Sequence, residues 1–299
     1  MLDESILAAI RARLAVALAP PRRRYRPLWV ERKAVAWIDD ARAARLAAFA
    51  DLLEVRDDGI TFTSAIASER ARTEALDRIA RVLASEGSLT AWRDERYAVA
   101  PAFGAPPLFV LERAAARYFG IHTYAAHVNG MVRRDAGPAM WLARRSPTKA
   151  IDPGLLDNLV GGGIAAGVGV QRTVVKEGWE EAGIPAPLAS RAQPAGAVHL
   201  CREQPDGLQR ETIFVHDLWL PADFAPSGQD GEVVDHRLVA LAEAARLVAN
   251  TEGTGVVTAD ASLVALDCLL RHGVIAPDVP GYLELDALRH PATEPAPAQ

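Results

Sequence analysis

Three glutamates, Glu177, Glu180 and Glu181, crowd one short stretch of the chain. A helix turns about 100° per residue, so the three side chains share about a third of its circumference. At ~5–6 Å and an effective dielectric near ~20, each pair of carboxylates repels by roughly 3 kcal/mol before solvent relief. A divalent cation removes that repulsion, and a hard cation such as Mg²⁺ takes oxygen ligands while keeping waters for chemistry. These residue types point to metal-assisted hydrolysis, with the three glutamates as ligands and one carboxylate taking a proton from water. A glutamate cluster is also what a merely solvated helix face looks like. Context separates the two readings, because GGGIAAGVGVQRTVVKEGWEEAGI, Gly161 to Ile184, sets a glycine-rich turn ahead of the acids. Val175, Gly178, Trp179 and Ala182 have the spacing of a buried stripe, which predicts a helix anchored on one side with its acids on the other. Gly183 suits its C-cap and Pro185 stops its continuation.

The same stretch resembles the Nudix box, signature of a family that hydrolyses nucleoside diphosphates linked to another moiety. The family pattern is Gly-x5-Glu-x7-Arg-Glu, an aliphatic, any residue, Glu-Glu, any residue, Gly and an aliphatic. Gly162 matches the first glycine, Glu177, Glu180 and Glu181 the helix glutamates, and Gly183 and Ile184 the end. Val168 stands for the first Glu, Lys176 for the Arg, and Gly178 for an aliphatic. In the family that Glu and Arg commonly pair and hold the loop, so the departures bear on loop architecture more than on metal binding. The runs ARRSPTKAIDPGLLDNLVGGGIAAG, Ala143 to Gly167, and LVALDCLLRHG, Leu263 to Gly273, are similar to a Nudix group related to the portion fused to thiamine pyrophosphokinases. That group carries an N-terminal domain of its own, and the resemblance runs from about Tyr25 to about Leu288. By family analogy the backbone carbonyl of Gly162 is a further ligand, since glycine lets backbone approach closely. Glu232 sits in a turn before a strand, where a fourth acid often enters this fold; a turn-exposed acid is the other reading. Family members differ on which acid is the base. Gly161-x-Gly163-x-x-Ala166 also matches a dinucleotide fingerprint, but that pattern needs an acid at the end of the next strand, and here the acids lie in the helix itself.

At 299 residues the chain has room for one large or two ordinary domains. Half its residues are hydrophobic, 24% are charged and the net charge is −5, an ordinary globular composition with no electrostatic footprint for nucleic acid or an anionic membrane. Asp3, Glu4, Arg11 and Arg13 interrupt any signal-peptide core, and no apolar run approaches a membrane span. Cys201 and Cys268 have neither a disulfide framework nor metal-ligand spacing, so a reduced, cytoplasmic setting is expected. Arg22-Arg23-Arg24 follows Pro20-Pro21 and reads as a solvated linker.

The elements that must position these residues are predicted as follows. An Ala-rich amphipathic helix covers 1–20. Strands at Leu28–Val30, Ala34–Ile38, Leu52–Val55 and Ile60–Phe62, with a turn at Asp57-Asp58-Gly59, join a helix over Glu69–Ser85. Trp29, Trp37 and Trp92 are expected in that core. After a loop at Pro101–Pro107 and a short helix at Leu108–Tyr118, the pattern turns strand-rich. Strands are predicted at Thr123–Arg133, Ala139–Arg145, Leu159-Val160, Ala197–Cys201, Thr212–Leu220 and Val233–Ala240. Helices are predicted at Leu241–Val248 and, strongly amphipathic, at Ala261–His272. The fold class is α/β: an N-terminal α+β domain over 1–118, a Nudix-type α/β/α sandwich with a mixed sheet over 119–288, and a disordered tail over 289–299.

The expected function is hydrolysis of a phosphoanhydride bond in a small organic diphosphate, with Mg²⁺ or Mn²⁺ as cofactor. The thiamine-associated resemblance implies thiamine diphosphate or its oxidised analogues, cleaved to the monophosphate; ADP-ribose and nucleotide sugars stay open. Lys149 and Arg144, just upstream of the glycines, can meet phosphates or serve solubility. His127, in an apolar strand, reads as a satisfied core residue. A ligand-sensing module without catalysis is the alternative that Val168 and Lys176 motivate, and the retained glutamates argue against it. A prenyl-diphosphate isomerase would need an activated cysteine, and Cys201 has no such surroundings. The resemblance allows a homodimer.

Overall fold

The computed structural model describes residues 2–295. Helix α1 (Glu4–Ala17) starts at Asp3, whose carboxylate accepts the Ser5 N–H. Strands β1 (Tyr25–Val30), β2 (Lys33–Asp39), β3 (Leu53–Arg56) and β4 (Gly59–Phe62) form a sheet in the order β2-β1-β4-β3, with α2 (Asp40–Leu46) between β2 and β3. Helix α3 (Glu69–Ser85) buries Leu76, Ile79, Ala80 and Leu83 in the same core as Leu28, Ile38 and Ile60 of that sheet. Trp29, expected in this core, is 38% exposed, and Trp37 and Trp92 are half-buried.

A two-stranded ribbon follows, β5 (Arg96–Val99) paired with β6 (Phe109–Glu112). The helix expected over Leu108–Tyr118 is therefore a strand in its first half. Phe109 and Val110 are strand formers, and Phe109 and Leu111 bury together on one face. Only α4 (Ala116–Phe119) is helical, after one 3₁₀ turn.

The remaining strands build one mixed seven-stranded sheet: β7 (His122–Val132), β8 (Ala139–Arg145), β9 (Leu156–Asn158), β10 (Val160–Gly163), β11 (Gln193–Gln204), β12 (Gly207–Trp219) and β13 (Val233–Ala240). Its path is β11-β12-β7-β8-β13; β10 adds to β7 and β9 to β8, and only the β12–β7 pair is parallel. Along β7, Ala126, Val128 and Val132 join the core under α5 (Val170–Ala182) and α6 (Ala186–Ala189). Ala125 and Met131 join the core under α7 (Leu241–Ala249) and α8 (Ala259–Arg271). This period-two switch places a helical layer on each face of the sheet.

Helix α8 is not amphipathic in its setting: every residue from Ala261 to Leu270 is buried. The sheet covers one side. Helix α1 and α9 (Tyr282–Ala287) cover more, with Leu7, Ile10, Leu14 and Leu285 in the same core. The Arg13 guanidinium donates to the carbonyls of Val248 and Val257 and to Ser262 Oγ at 2.9 Å. Thus α1, at the start of the chain, lies in the layer that closes the C-terminal sandwich.

Residues 289–294, expected within a disordered tail, are held in place. Arg289 reaches Asp267 at 2.6 Å and also Asp286, and its carbonyl accepts the His199 N–H at 2.9 Å. Arg210 Nε donates to the Thr293 carbonyl at 2.8 Å. Buried Asp267 needs cationic partners, which is why the arginine-bearing start of this segment docks. The last part of that expectation, 296–299, lies outside the described residues. Among the described residues no helix is long and apolar enough to cross a membrane.

Candidate active site

The site is built around β10, one valine and three glycines paired with β7 alone in this sheet. Successive residues of a strand face opposite sides. A Cβ at Gly162 would overlap Glu177 of α5. On the other face, a Cβ at Gly161 would lie 2.9 Å from the His127 ring, and one at Gly163 would overlap the Tyr97 hydroxyl. The missing side chains let a helix and a ribbon close on one strand from both sides.

Helix α5 ends as predicted, with Gly183 at a left-handed φ of 63° and its N–H on the Trp179 carbonyl at 2.9 Å. Its buried face differs from the expected stripe. Gly178 and Ala182 are buried, but Trp179 is 53% exposed, and Thr173 and Val174 pack in its place. The helix is rotated so that its acids turn toward the bare glycine backbone. Glu181 is only 7% exposed, and its Oε2 accepts the Gly161 N–H at 2.7 Å.

That bond reveals the strand's polarity. Gly161 donates away from β7, whereas the Ile164 N–H donates to the Tyr124 carbonyl of β7 at 2.8 Å. Alternation in an antiparallel ladder then turns the backbone groups of Gly162 toward β7 and those of Gly161 and Gly163 to the free edge. The carbonyl expected from Gly162 is engaged in the sheet, and the outward one beside Glu181 belongs to Gly161.

Glu177 and Glu180 are bridged by one ammonium: Lys176 Nζ lies 2.9 Å from Glu177 and 2.7 Å from Glu180. In this structure the three carboxylates do not converge on one point; Lys176 holds two of them and Gly161 the third. Burial raises the Glu181 carboxyl well above the usual range, against the pull of the Gly161 N–H, and burial also raises Glu177. Three carboxylates, two of them raised by burial and two of them sharing one lysine, stand on an all-oxygen edge with a glycine carbonyl beside them. That donor set fits a hard divalent cation.

The loop after β12 is tied to the end of α5. The Ser227 N–H donates to the Ala182 carbonyl at 3.1 Å and the Gln229 N–H to the Glu180 carbonyl at 2.7 Å, satisfying two of the helix's last carbonyls. Glu232 follows, but it is already committed: it pairs with Lys149 and, at 2.9 Å, with Arg93. Burial opposes its ionisation, and the bonds to Lys149 and Arg93 outweigh that and bring its pKa down to about 2. A carboxylate so stabilised is a weak proton acceptor. Glu232, expected as either a fourth acid of the site or a turn-exposed acid, orders two cations at the site's rim. Arg144 departs from expectation, donating to the carbonyls of Gly154 and Thr254 at 2.9 Å each and so stapling loops away from the cleft.

A cleft of about 500 Å³ opens on the Gly161–Gly163 face. Lys149, Arg145 and Asp157 line it from the sheet side, with Arg145 and Asp157 paired at 2.7 Å. Arg93, Tyr97 and Arg113 line it from the N-terminal segment. His127 is buried and bonded through Nδ1 to Asn158 Oδ1 at 2.7 Å, a satisfied residue as predicted, yet it also forms part of the cleft wall. Asp157 and Asn158 carried a faint signal, adjacency to the glycines. Tyr97 and Arg113 carried none, because only the tertiary fold brings them there.

A second cluster lies elsewhere. Asp217, Cys268 and His272 place ligand atoms within 4.8 Å of one another. Asp217 already accepts from Arg271 at 2.6 and 3.0 Å and from Asn129 at 3.0 Å, and it lies 2.8 Å from His272 Nε2. A guanidinium in that position repels a cation, so the group is a buried ion-pair network.

Comparison with known proteins gives the following. The family described as NUDIX domain matches residues 123–259, and one described as a domain of unknown function, DUF4743, matches residues 12–123. The chain is 40% identical over 261 residues to Nudix hydrolase 24, chloroplastic, of Arabidopsis thaliana, covering 87% of this chain and 71% of that protein. It is 37% identical over 268 residues to Nudix hydrolase 20, chloroplastic, of the same plant, with the same coverage. An uncharacterized protein of Saccharomyces cerevisiae is 33% identical over 237 residues, covering 73% of this chain and 68% of that one.

Proposed function

Since the chain belongs to the Nudix hydrolases, we propose that it cleaves the phosphoanhydride bond of a small organic diphosphate at the edge formed by β10 and α5, using Mg²⁺ or Mn²⁺. The observation that carries this reading is the buried Glu181 carboxylate on the Gly161 N–H, with Glu177 filling the space a Gly162 side chain would take. Glu177, Glu180, Glu181 and the Gly161 carbonyl would hold the ion, which when bound neutralises phosphate charge and acidifies water. Lys176 must give up its place between Glu177 and Glu180 for that to happen. Lys149 and Arg93, steadied by Glu232, supply positive charge at the rim for phosphate oxygens. Because Glu232 is held ionised by two cations, we assign the proton-accepting role to one of the helix carboxylates.

The substrates we favour are thiamine diphosphate and its oxidised analogues, on the resemblance to the Nudix portion fused to thiamine pyrophosphokinases. Both cysteines are free and buried, and we propose a reducing compartment such as the cytoplasm. One observation supports a second reading, a ligand sensor: the lysine bridge already neutralises two acids. The test is incubation with Mg²⁺ and a panel of thiamine diphosphate, oxothiamine diphosphate and ADP-ribose, with product identification. Release of phosphate or monophosphate that disappears in Glu181→Gln supports the hydrolase. Ligand binding with no turnover across the panel supports the sensor.

A further inference from the structure

Tyr97 stands apart from the other aromatic residues of the N-terminal segment. It is 7% exposed, it lines the cleft, and among the described residues its hydroxyl makes no hydrogen bond. The hydroxyl is not sealed from solvent; it is open to the cleft and free to donate to a ligand atom there. Its position is fixed from two sides. The β5–β6 ribbon that carries it is pinned to the glycine turn by the Ala166 N–H, which donates to the Arg96 carbonyl at 2.7 Å. Gly163 leaves its Cβ space to the hydroxyl.

Beside the ring stands Arg113, its guanidinium 5.9 Å from the ring centroid. Only one of its terminal nitrogens is engaged, with Glu95 at 2.6 Å, and the remaining N–H groups of a planar fork are free among the described residues. Burial raises the Tyr97 phenol, so it keeps its proton at every physiological pH and can only donate or accept as a neutral group. A neutral O–H donor beside a guanidinium, on a glycine strand with Lys149 nearby, matches the oxygens of a phosphate better than any cationic or apolar group.

We propose that Tyr97 and Arg113 are substrate-contacting residues that bind a phosphate of the diphosphate from the N-terminal side. The N-terminal segment thereby completes a site whose metal-binding edge lies wholly in the C-terminal one. This rests on the hydrolase reading for the identity of the ligand. It gives a role to residues inside the region matched only by a domain of unknown function.

The test uses the full chain and methylenediphosphonate, a diphosphate mimic that cannot be hydrolysed, by calorimetry with and without Mg²⁺. Mn²⁺ affinity is followed separately by electron paramagnetic resonance. Tyr97→Phe and Arg113→Gln are expected to keep Mn²⁺ affinity while binding the diphosphonate on the order of tenfold more weakly, with KM for the turned-over diphosphate rising more than kcat falls. If Tyr97→Phe fails to fold, Arg113→Gln carries the same comparison. Unchanged diphosphonate binding in a folded variant overturns the proposal, as does a wild type that takes no diphosphonate. A wild type that binds diphosphonate but no Mn²⁺ sinks the metal reading instead, and the variant comparison without Mg²⁺ still decides the phosphate contact.

Discussion

At the scale of single residues, the proposed metal site would set a lysine against a cation. Lys176 occupies the position where the family pattern has arginine, and its ammonium sits between Glu177 and Glu180. Half-exposed pairs of this kind contribute roughly 0.2–1 kcal/mol each. Lys176→Gln is therefore expected to lower the melting temperature of the metal-free protein slightly and to enlarge the upward shift on adding Mg²⁺, because no ammonium has to leave. Differential scanning fluorimetry with and without Mg²⁺ reads both; an unchanged Mg²⁺ shift would mean that the lysine and the ion do not share the site. The glutamates were legible in sequence because their spacing on a helix is a chemical statement in itself. The carbonyl proposed as a further ligand was not, because the choice between Gly161 and Gly162 depends on ladder polarity, which neighbouring glycines do not encode.

Among the elements, α5 and the loop that caps it form one device. The loop's N–H groups meet the last carbonyls of α5, and the chain then delivers Glu232 to Lys149 and Arg93. The Glu232 carboxyl falls from 4.5 to about 2 on folding. A lowered acid adds stability that is fully present above its unfolded value and is lost as pH drops through the folded one. The window is thus pH 4.5 down to about 2. Glu232→Gln is expected to be less stable than wild type at pH 6 and to converge with it toward pH 2–3 in urea titrations; a constant gap across that range would remove the ion pairs from the account. Most elements were readable from period and punctuation. Glu69–Ser85 and Val233–Ala240 form as predicted. The misread pieces share a cause. Trp179 was assigned to the buried stripe by helical spacing alone, but the glycine strand beneath α5 rotates the helix onto its acids. Phe109–Glu112 reads equally as helix or strand until β5 is there to pair with it.

For the whole molecule, the first helix joins the C-terminal sandwich. Helix α1 packs on α7 and α8, and Arg13 binds carbonyls beyond the sheet. Local pattern predicts an amphipathic α1 but is silent about which layer its apolar face joins. Leu14 is fully buried there, and Leu14→Ala is expected to cost about 2–5 kcal/mol in denaturant unfolding. A loss near zero would mean that α1 only rests on the sandwich. We propose on these contacts that 119–288 does not form a stable unit without the first helix. The β5–β6 ribbon, held to the glycine turn by the Ala166 N–H on the Arg96 carbonyl, brings Tyr97 over the glycines with Arg113 beside its ring. The most direct test of the central claim is a Mn²⁺ binding isotherm on the wild type and Glu181→Gln, both checked for native circular dichroism. The wild type should bind the ion, and the variant should bind it on the order of 100-fold more weakly, about 2.7 kcal/mol. Equal affinity in the two proteins would contradict the assignment of the β10–α5 edge as the metal site.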